Sequence, residues 1–245
     1  MTNCLYCNTP LSRHEQFAGT ICSNWRCREK HLENQLVSYR TEAAEALDFG
    51  QSETFPIAVV PHWEPKLVPL THEDYRMLAE FLNGLISSET TETIPNEFME
   101  APPQSDTPPA MLSRLGQVCA ICRGFCCFHG AAHNAFLDHK TLLRFVTEKP
   151  ELELYDAVEI YLDYLPSQHY FNACLYQGEQ GCTLPREMRA NICNDYQCGG
   201  LRTARERFAT NSDNRAFVVV RHDHKIQRAA FINGSSIIHY PPKDS

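Results

Sequence analysis

The chain lacks several features that would fix a function class at once. No apolar run approaches the roughly 20 residues needed to cross a bilayer. The opening Met1-Thr2-Asn3-Cys4-Leu5-Tyr6-Cys7 has neither the basic n-region nor the apolar h-region of a secretory signal. Membrane partners are therefore not expected, and the expected compartment is the reducing cytoplasm. There is no phosphate loop, no nucleophile elbow and no dinucleotide fingerprint. No internal repeat or low-complexity tract marks a solenoid or an array. Basic residues are in deficit, 22 Lys and Arg against 30 Asp and Glu, for a net charge of −8. That balance argues against nonspecific tracking of a nucleic-acid backbone.

Cysteine is what the chain has in excess. Twelve occur, at 4, 7, 22, 27 and then, after a long gap, at 119, 122, 126, 127, 174, 182, 193 and 198. In a reducing compartment such a set reads as metal ligands, and short spacers within the pairs suit chelation better than disulfide stapling. Metal ions are thus the expected partners, and no protein partner is indicated.

The first four form Cys4-x2-Cys7 and Cys22-x4-Cys27. A two-residue spacer lets both thiolates turn back onto one ion, and two such pairs make the tetrahedral four-cysteine shell that zinc favours. Asn8, Thr9 and Pro10 supply the turn after the first pair. Gly19 is expected to turn a short hairpin leading to the second. Cys27 opens a helix expected over Arg28 to Leu47, whose N-terminal dipole favours thiolate charge. This order resembles treble-clef zinc fingers, and the resemblance implies a structural zinc. Arg13, Arg26, Arg28 and Lys30 with Trp25 for stacking carry a further reading as a nucleic-acid or protein-docking finger.

The other eight begin as Cys119-x2-Cys122-x3-Cys126-Cys127. Neighbouring side chains diverge, so Cys126 and Cys127 are expected to serve different ions or to bridge within a cluster. Eight thiolates fit two four-cysteine metals, a binuclear site, or one iron–sulfur cluster with spare cysteines. With Cys174, Gly181-Cys182, Cys193 and Cys198 the pattern resembles the CxxCxxxCC cysteine-cluster family (YkgJ type), described as a zinc- or iron-chelating domain, over residues 119–198. All eight family cysteines are matched. Arg189-Ala190 stands where the family usually has Arg-Pro, and Pro185-Arg186 is offered instead. The resemblance implies zinc, iron or an iron–sulfur cluster as cofactor. His129 and His133 share one face if their segment is helical, either as ligands or as hydrogen-bond partners of thiolates. His222 and His224 alternate onto one face of a later strand. An iron or iron–sulfur redox enzyme is the alternative reading; no catalytic residue can be named from the sequence.

The expected fold is α+β in three parts. Residues 1–50 are the zinc finger and its helix. Residues 51–110 hold a strand-like Phe55–Val60, placed at an edge or in a loop by its prolines, a helix capped by Thr71 and Asp74 that ends near Ile86, and a Ser/Thr/Pro-rich linker over Ser87–Ala110. Residues 111–245 form a mainly helical cysteine-cluster domain closed by an antiparallel β-meander. Helices are expected at Leu137–Thr147, Leu152–Leu165 and Leu201–Ala209. Strands are expected at Ala216–Val220, Ile226–Ile232 and Ser235–Tyr240, with Asn233-Gly234 as a two-residue hairpin turn.

Overall fold

The structure, a computed structural model, describes residues 2–47, 55–87, 107–211, 214–222 and 225–240. Helices and mixed sheets alternate along it, so the chain is α+β. The expected linker falls mostly on 88–106 and His224 on 223–224, both outside the described residues.

The N-terminal unit holds α1 (Arg13–Ala18) and α2 (Trp25–Leu47). Helix α1 replaces the hairpin expected between the two cysteine pairs. Its cause is local: Ser12 and Glu15 make a capping box, each side chain accepting from the other's amide. Helix α2 starts three residues earlier than expected, because the Asn24 side chain accepts from the Arg26 amide and begins the first turn.

A four-stranded sheet forms one centre of the fold. Its order is β1 (Ile57–Pro61), β6 (Arg215–His222), β7 (Lys225–Asn233) and β8 (Ser236–Tyr240). β1 lies parallel to β6, with Ile57 opposite Phe217; β6, β7 and β8 run antiparallel. Pro56 just before β1 and Pro61 at its last position are tolerated because it is an edge strand. The turn after β7 consists of Gly234 and Ser235, one residue later than expected, since Asn233 still pairs with Ser236. Gly234 takes the positive φ of 61° there, and glycine at the first loop position carries it at no steric cost.

Both faces of the sheet are covered, which explains the unbroken burial of Ala216-Phe217-Val218-Val219-Val220. Phe217, Val219, Ala229 and Phe231 pack with Phe55, Ile57 and, from α2, Tyr39 and Ala43. Ala216, Val218, Val220, Ala230 and Ile232 face the other way. There they meet Leu115, Val118 and Ile121 of α4 (Pro109–Cys122) and Leu201, Ala204 and Phe208 of α9 (Gly199–Ala209). Helix α4 takes over the end of the stretch expected to be linker: Pro109 sits at its first turn, where a missing N–H costs nothing. α9 approaches β1 so closely that a Cβ on Gly200 would stand 2.5 Å from the Val59 carbonyl oxygen.

A second core is helical. Helix α3 (His72–Ser87) is capped as expected, with Thr71 Oγ1 accepting from the Asp74 amide and the Thr71 amide donating to the Asp74 carboxylate. Its stripe of Leu78, Leu82 and Ile86 packs on α6 (His139–Thr147) and α7 (Leu154–Asp163) through Leu142, Phe145, Ala157, Val158 and Tyr161. Asp138 caps α6 by accepting from the Thr141 amide. The Tyr161 hydroxyl reaches across to the Met188 carbonyl at 2.6 Å. Smaller elements join these cores: β2 (Leu67–Pro69) with β3 (Gln168–Tyr170), β4 (Gln177–Gly178) with β5 (Gly181–Cys182), the four-residue α5 (Phe128–Ala131) and α8 (Asn191–Asp195).

Candidate metal centres

The N-terminal cysteines converge. The Cys4 amide donates to the Thr9 carbonyl at 2.8 Å and the Asn8 amide to the Cys4 carbonyl at 2.9 Å, closing a tight turn in which Asn8 takes a positive φ. This turn folds Cys7 back beside Cys4. The Leu5 amide donates to the Thr20 carbonyl at 2.9 Å and lays the second pair along the first. The ligand sulfurs of Cys4, Cys7, Cys22 and Cys27 then all lie within 4.8 Å of one another. Cys7 and Cys22 Sγ stand 3.7 Å apart. A tetrahedron with metal–sulfur bonds of about 2.3 Å has edges of about 3.8 Å, so the spacing fits one ion.

Four thiols so close would repel once ionised, and the surroundings differ around the ring. Cys4 is pulled down to about 6, first by the Cys22 amide donating to its sulfur. Cys7 is lowered by Thr9. Cys22 receives the Asn24 amide, but burial and its neighbouring sulfurs outweigh it and raise the thiol. Cys27 is pushed up to about 12 by burial and by the other three sulfurs. A cation at the centre reverses this repulsion, which is the physical case for a metal here. Cys4, Cys22 and Cys27 are buried with Leu11 in a core too small to hold the unit together by apolar area alone.

One residue the sequence reading passed over braces this unit. Glu15 accepts from the Ser12 amide at 2.9 Å and from the Ser23 amide at 2.6 Å, so α1 is clamped to the loop beside Cys22. Those two amides hold its carboxyl down at about 2. The signal was present as Ser12-Arg13-His14-Glu15, a capping box read only in retrospect.

The eight later cysteines are gathered from distant parts of the chain but do not close into one cage. Among the described residues, the N-terminal four are the group whose ligand atoms meet within 4.8 Å; no three of the later eight reach that spacing. Helix α4 ends at Cys122, and Arg123 and Gly124 both take left-handed φ values of 62° and 70°. The Gly124 amide returns to the Cys119 carbonyl at 3.2 Å. This reversal sets Cys126 and Cys127, in a 3-10 turn over Phe125–Cys127, beside the end of α4. Gly124 is required twice over: by its φ, and because a Cβ there would come within 2.6 Å of the Gln177 side chain.

Cys119, Cys122 and Cys198, the last standing at the start of α9, pack into the core beneath the sheet. Cys127, Cys174 and Cys182 pack into the helical core. The Cys174 amide donates to the Cys127 carbonyl at 3.0 Å, and Cys193 Sγ faces the Ala135 carbonyl at 3.5 Å. Burial raises Cys122 to about 11, Cys174 to about 12, and Cys119 further still; Cys193, whose residue is exposed, is raised to about 11 by partial desolvation of its thiol and by the neighbouring Cys182. The pair at the junction splits: Cys126 is lowered to about 7 by the neighbouring Cys127 thiol, and Cys127 is raised strongly by the same contact. Two arginines supply opposing charge that the sequence reading had not identified. Arg189 neighbours Cys119, Cys174 and Cys193 and is fixed by donating to the Leu184 carbonyl at 2.7 Å; Arg228 neighbours Cys122 and is held by Glu64 at 2.8 Å.

Among the described residues, no histidine joins a close group of cysteines. α5 stops at Ala131, so His129 and His133 do not share a helical face; both are exposed, and His133 stacks on Phe136 at 5.2 Å. His222 instead faces His62, ring centres 5.6 Å apart. In the N-terminal unit, Trp25 is exposed with the Arg26 guanidinium 5.4 Å from its ring centre.

Fold and site together define an α+β protein with a four-cysteine group placed for metal binding. No helix among the described residues is long and apolar enough to cross a membrane. The chain matches no known family model, no curated protein and no solved structure.

Proposed function

We propose that this is a metal-binding protein in which Cys4, Cys7, Cys22 and Cys27 hold a structural zinc and the eight cysteines at 119–198 chelate zinc or iron. The observation that carries the reading is the convergence of four thiol sulfurs within 4.8 Å beside a small apolar core of Leu11, Tyr6 and Ile21. Four thiolates leave no open coordination position, so this first metal braces the fold and performs no chemistry. Its binding supplies folding free energy on the order of 10 kcal/mol. For the second set, the support is the spacing of the eight residues, their resemblance to the cysteine-cluster family, the burial of Cys122 and Cys174, and the positive charge of Arg189 and Arg228 beside them.

Metal analysis with an optical spectrum of anaerobically purified protein tests this reading. Zinc that is lost in Cys4→Ser identifies the first site. Metal beyond that equivalent, retained in Cys4→Ser, identifies the second set. Protein that folds and carries no stoichiometric metal overturns the proposal.

A further inference from the structure

The two halves of the eight-cysteine group belong to different cores. Cys119 and Cys122 come from the last turn of α4 and Cys198 from the residue before α9, and all three pack under the sheet with Val118, Val60 and Leu201. Cys127, Cys174 and Cys182 pack in the helical core with Tyr176, Leu184 and Leu137. The backbone reflects the same division. The turn at Arg123 and Gly124 returns the chain to Cys119, whereas Cys127 is bonded through its carbonyl to the Cys174 amide. Cys193, in the short α8, points at the Ala135 carbonyl within the same neighbourhood as Leu137 and Cys174.

Adjacent Cys126 and Cys127 stand where these two cores meet. Each group of three lacks a fourth thiolate on its own side, apart from Cys193 on the helical side. Charge couples Cys126 to Cys119 and Cys122, and Cys193 to Cys174 and Cys182; further couplings, of Cys193 to Cys126 and of Cys127 to Cys119, cross the junction, so the division rests on the two cores.

We infer that the eight cysteines form two separate four-thiolate metal centres, Cys119, Cys122, Cys126 and Cys198 in one and Cys127, Cys174, Cys182 and Cys193 in the other, joined by the Cys126–Cys127 peptide bond. This rests on the metal-binding reading above. Each centre takes a thiophilic metal, as a zinc ion or an iron–sulfur cluster. Arg189, which neighbours cysteines of both sets, offsets the excess negative charge that two four-thiolate centres bring. One consequence is mechanical. Each metal fastens loops to one core, and the shared peptide bond couples the position of the sheet layer to that of the helical layer.

The test uses the full-length, metal-replete chain. Metal and acid-labile sulfide are counted per molecule, and cysteine accessibility is read by iodoacetamide labelling with site-resolved mass spectrometry. The unsubstituted chain is expected to hold two centres beyond the N-terminal zinc: zinc without sulfide identifies two ions, iron with sulfide two clusters. In Cys119→Ser, labelling is expected at Cys122, Cys126 and Cys198, with Cys127, Cys174, Cys182 and Cys193 still protected. Cys182→Ser is expected to give the converse. These variants are scored only where they keep the parent circular dichroism spectrum, and the count on the unsubstituted chain stands independently of their folding. One centre beyond the N-terminal zinc, or exposure of both sets by a single substitution, overturns the division. No metal beyond the N-terminal zinc overturns the metal-binding reading of the eight instead.

Discussion

Replacing Gly200 by Ala tests how tightly the sheet and the helix carrying Cys198 are joined. Helix propensity alone favours the change, because Ala is better than Gly inside a helix by about 1 kcal/mol. Packing opposes it. The new Cβ would lie 2.5 Å from the Val59 carbonyl oxygen and 3.3 Å from Val60 Cα, and both are backbone atoms that cannot rotate away. Ordinary contact begins near 3.4 Å, so α9 must retreat from β1 by about 0.9 Å, the difference between 3.4 and 2.5. Overpacking of this kind costs about 1–3 kcal/mol. The clash therefore wins, and Gly200→Ala is expected to lower stability by about 1–2 kcal/mol in urea unfolding followed by circular dichroism at constant metal loading. Gly199→Ala is the internal control: it lies one residue earlier in the same helix with nothing within 4 Å of its Cβ, and should stay within about 0.5 kcal/mol of the parent. If the two variants behave alike, or Gly200→Ala is the more stable, the close approach of α9 to β1 is wrong.

Other outcomes are equally checkable. Ala190 has φ −55° and Arg189 before it has ψ 147°, both suited to proline, so Ala190→Pro should raise the urea midpoint by about 0.4–1 kcal/mol of stability through the unfolded chain. Arg144 is buried and donates to Asn191 Oδ1 at 2.6 Å and to the Arg189 carbonyl at 2.5 Å, so Arg144→Ala should cost about 2–4 kcal/mol in the same assay, and a loss under 1 kcal/mol would deny those bonds their role. Gly84 lies on the exposed face of α3 with free space about it; Gly84→Ala should gain about 0.5–1 kcal/mol in the same assay. Because Cys22 and Cys27 hold their protons above the ordinary thiol range in the metal-free finger, zinc must displace them; zinc affinity should climb as pH rises toward 9 and fall as pH drops, and a pH-independent affinity in competition titrations would contradict a thiolate site.

Much of this was legible where a single local rule decides the outcome. The Thr71–Asp74 cap, the helix of α3 that follows it and the pairing of Cys4-x2-Cys7 with Cys22-x4-Cys27 are short-range patterns, and the structure places them as the spacing implies. Helix α4 escaped the reading, although Leu112, Leu115, Val118 and Ile121 recur every three residues, because the prolines before it signalled a linker. Proline at a helix start carries the same letters as proline in a loop. The parallel pairing of β1 with β6 was not legible at all: apolar Ile57-Ala58-Val59-Val60 offers no hint of which distant strand accepts it. For the eight later cysteines the spacing was legible, while their division between two cores depends on tertiary packing that spacing does not encode.

The β1–β6 pairing also sets a timetable for synthesis. Ile57 meets Phe217, 160 positions later, and no other strand of the sheet comes before residue 215. At about 5–20 residues per second, a ribosome needs on the order of 8–30 s to make the partner after β1 has emerged. For most of that interval the apolar strand has neither its neighbour nor the helix α9, which is made just before β6. The nascent chain must carry this sticky segment uncovered past the whole helical layer, so factors that shield emerging chains should bind hardest around residues 57–61 and let go only once the last strands are out.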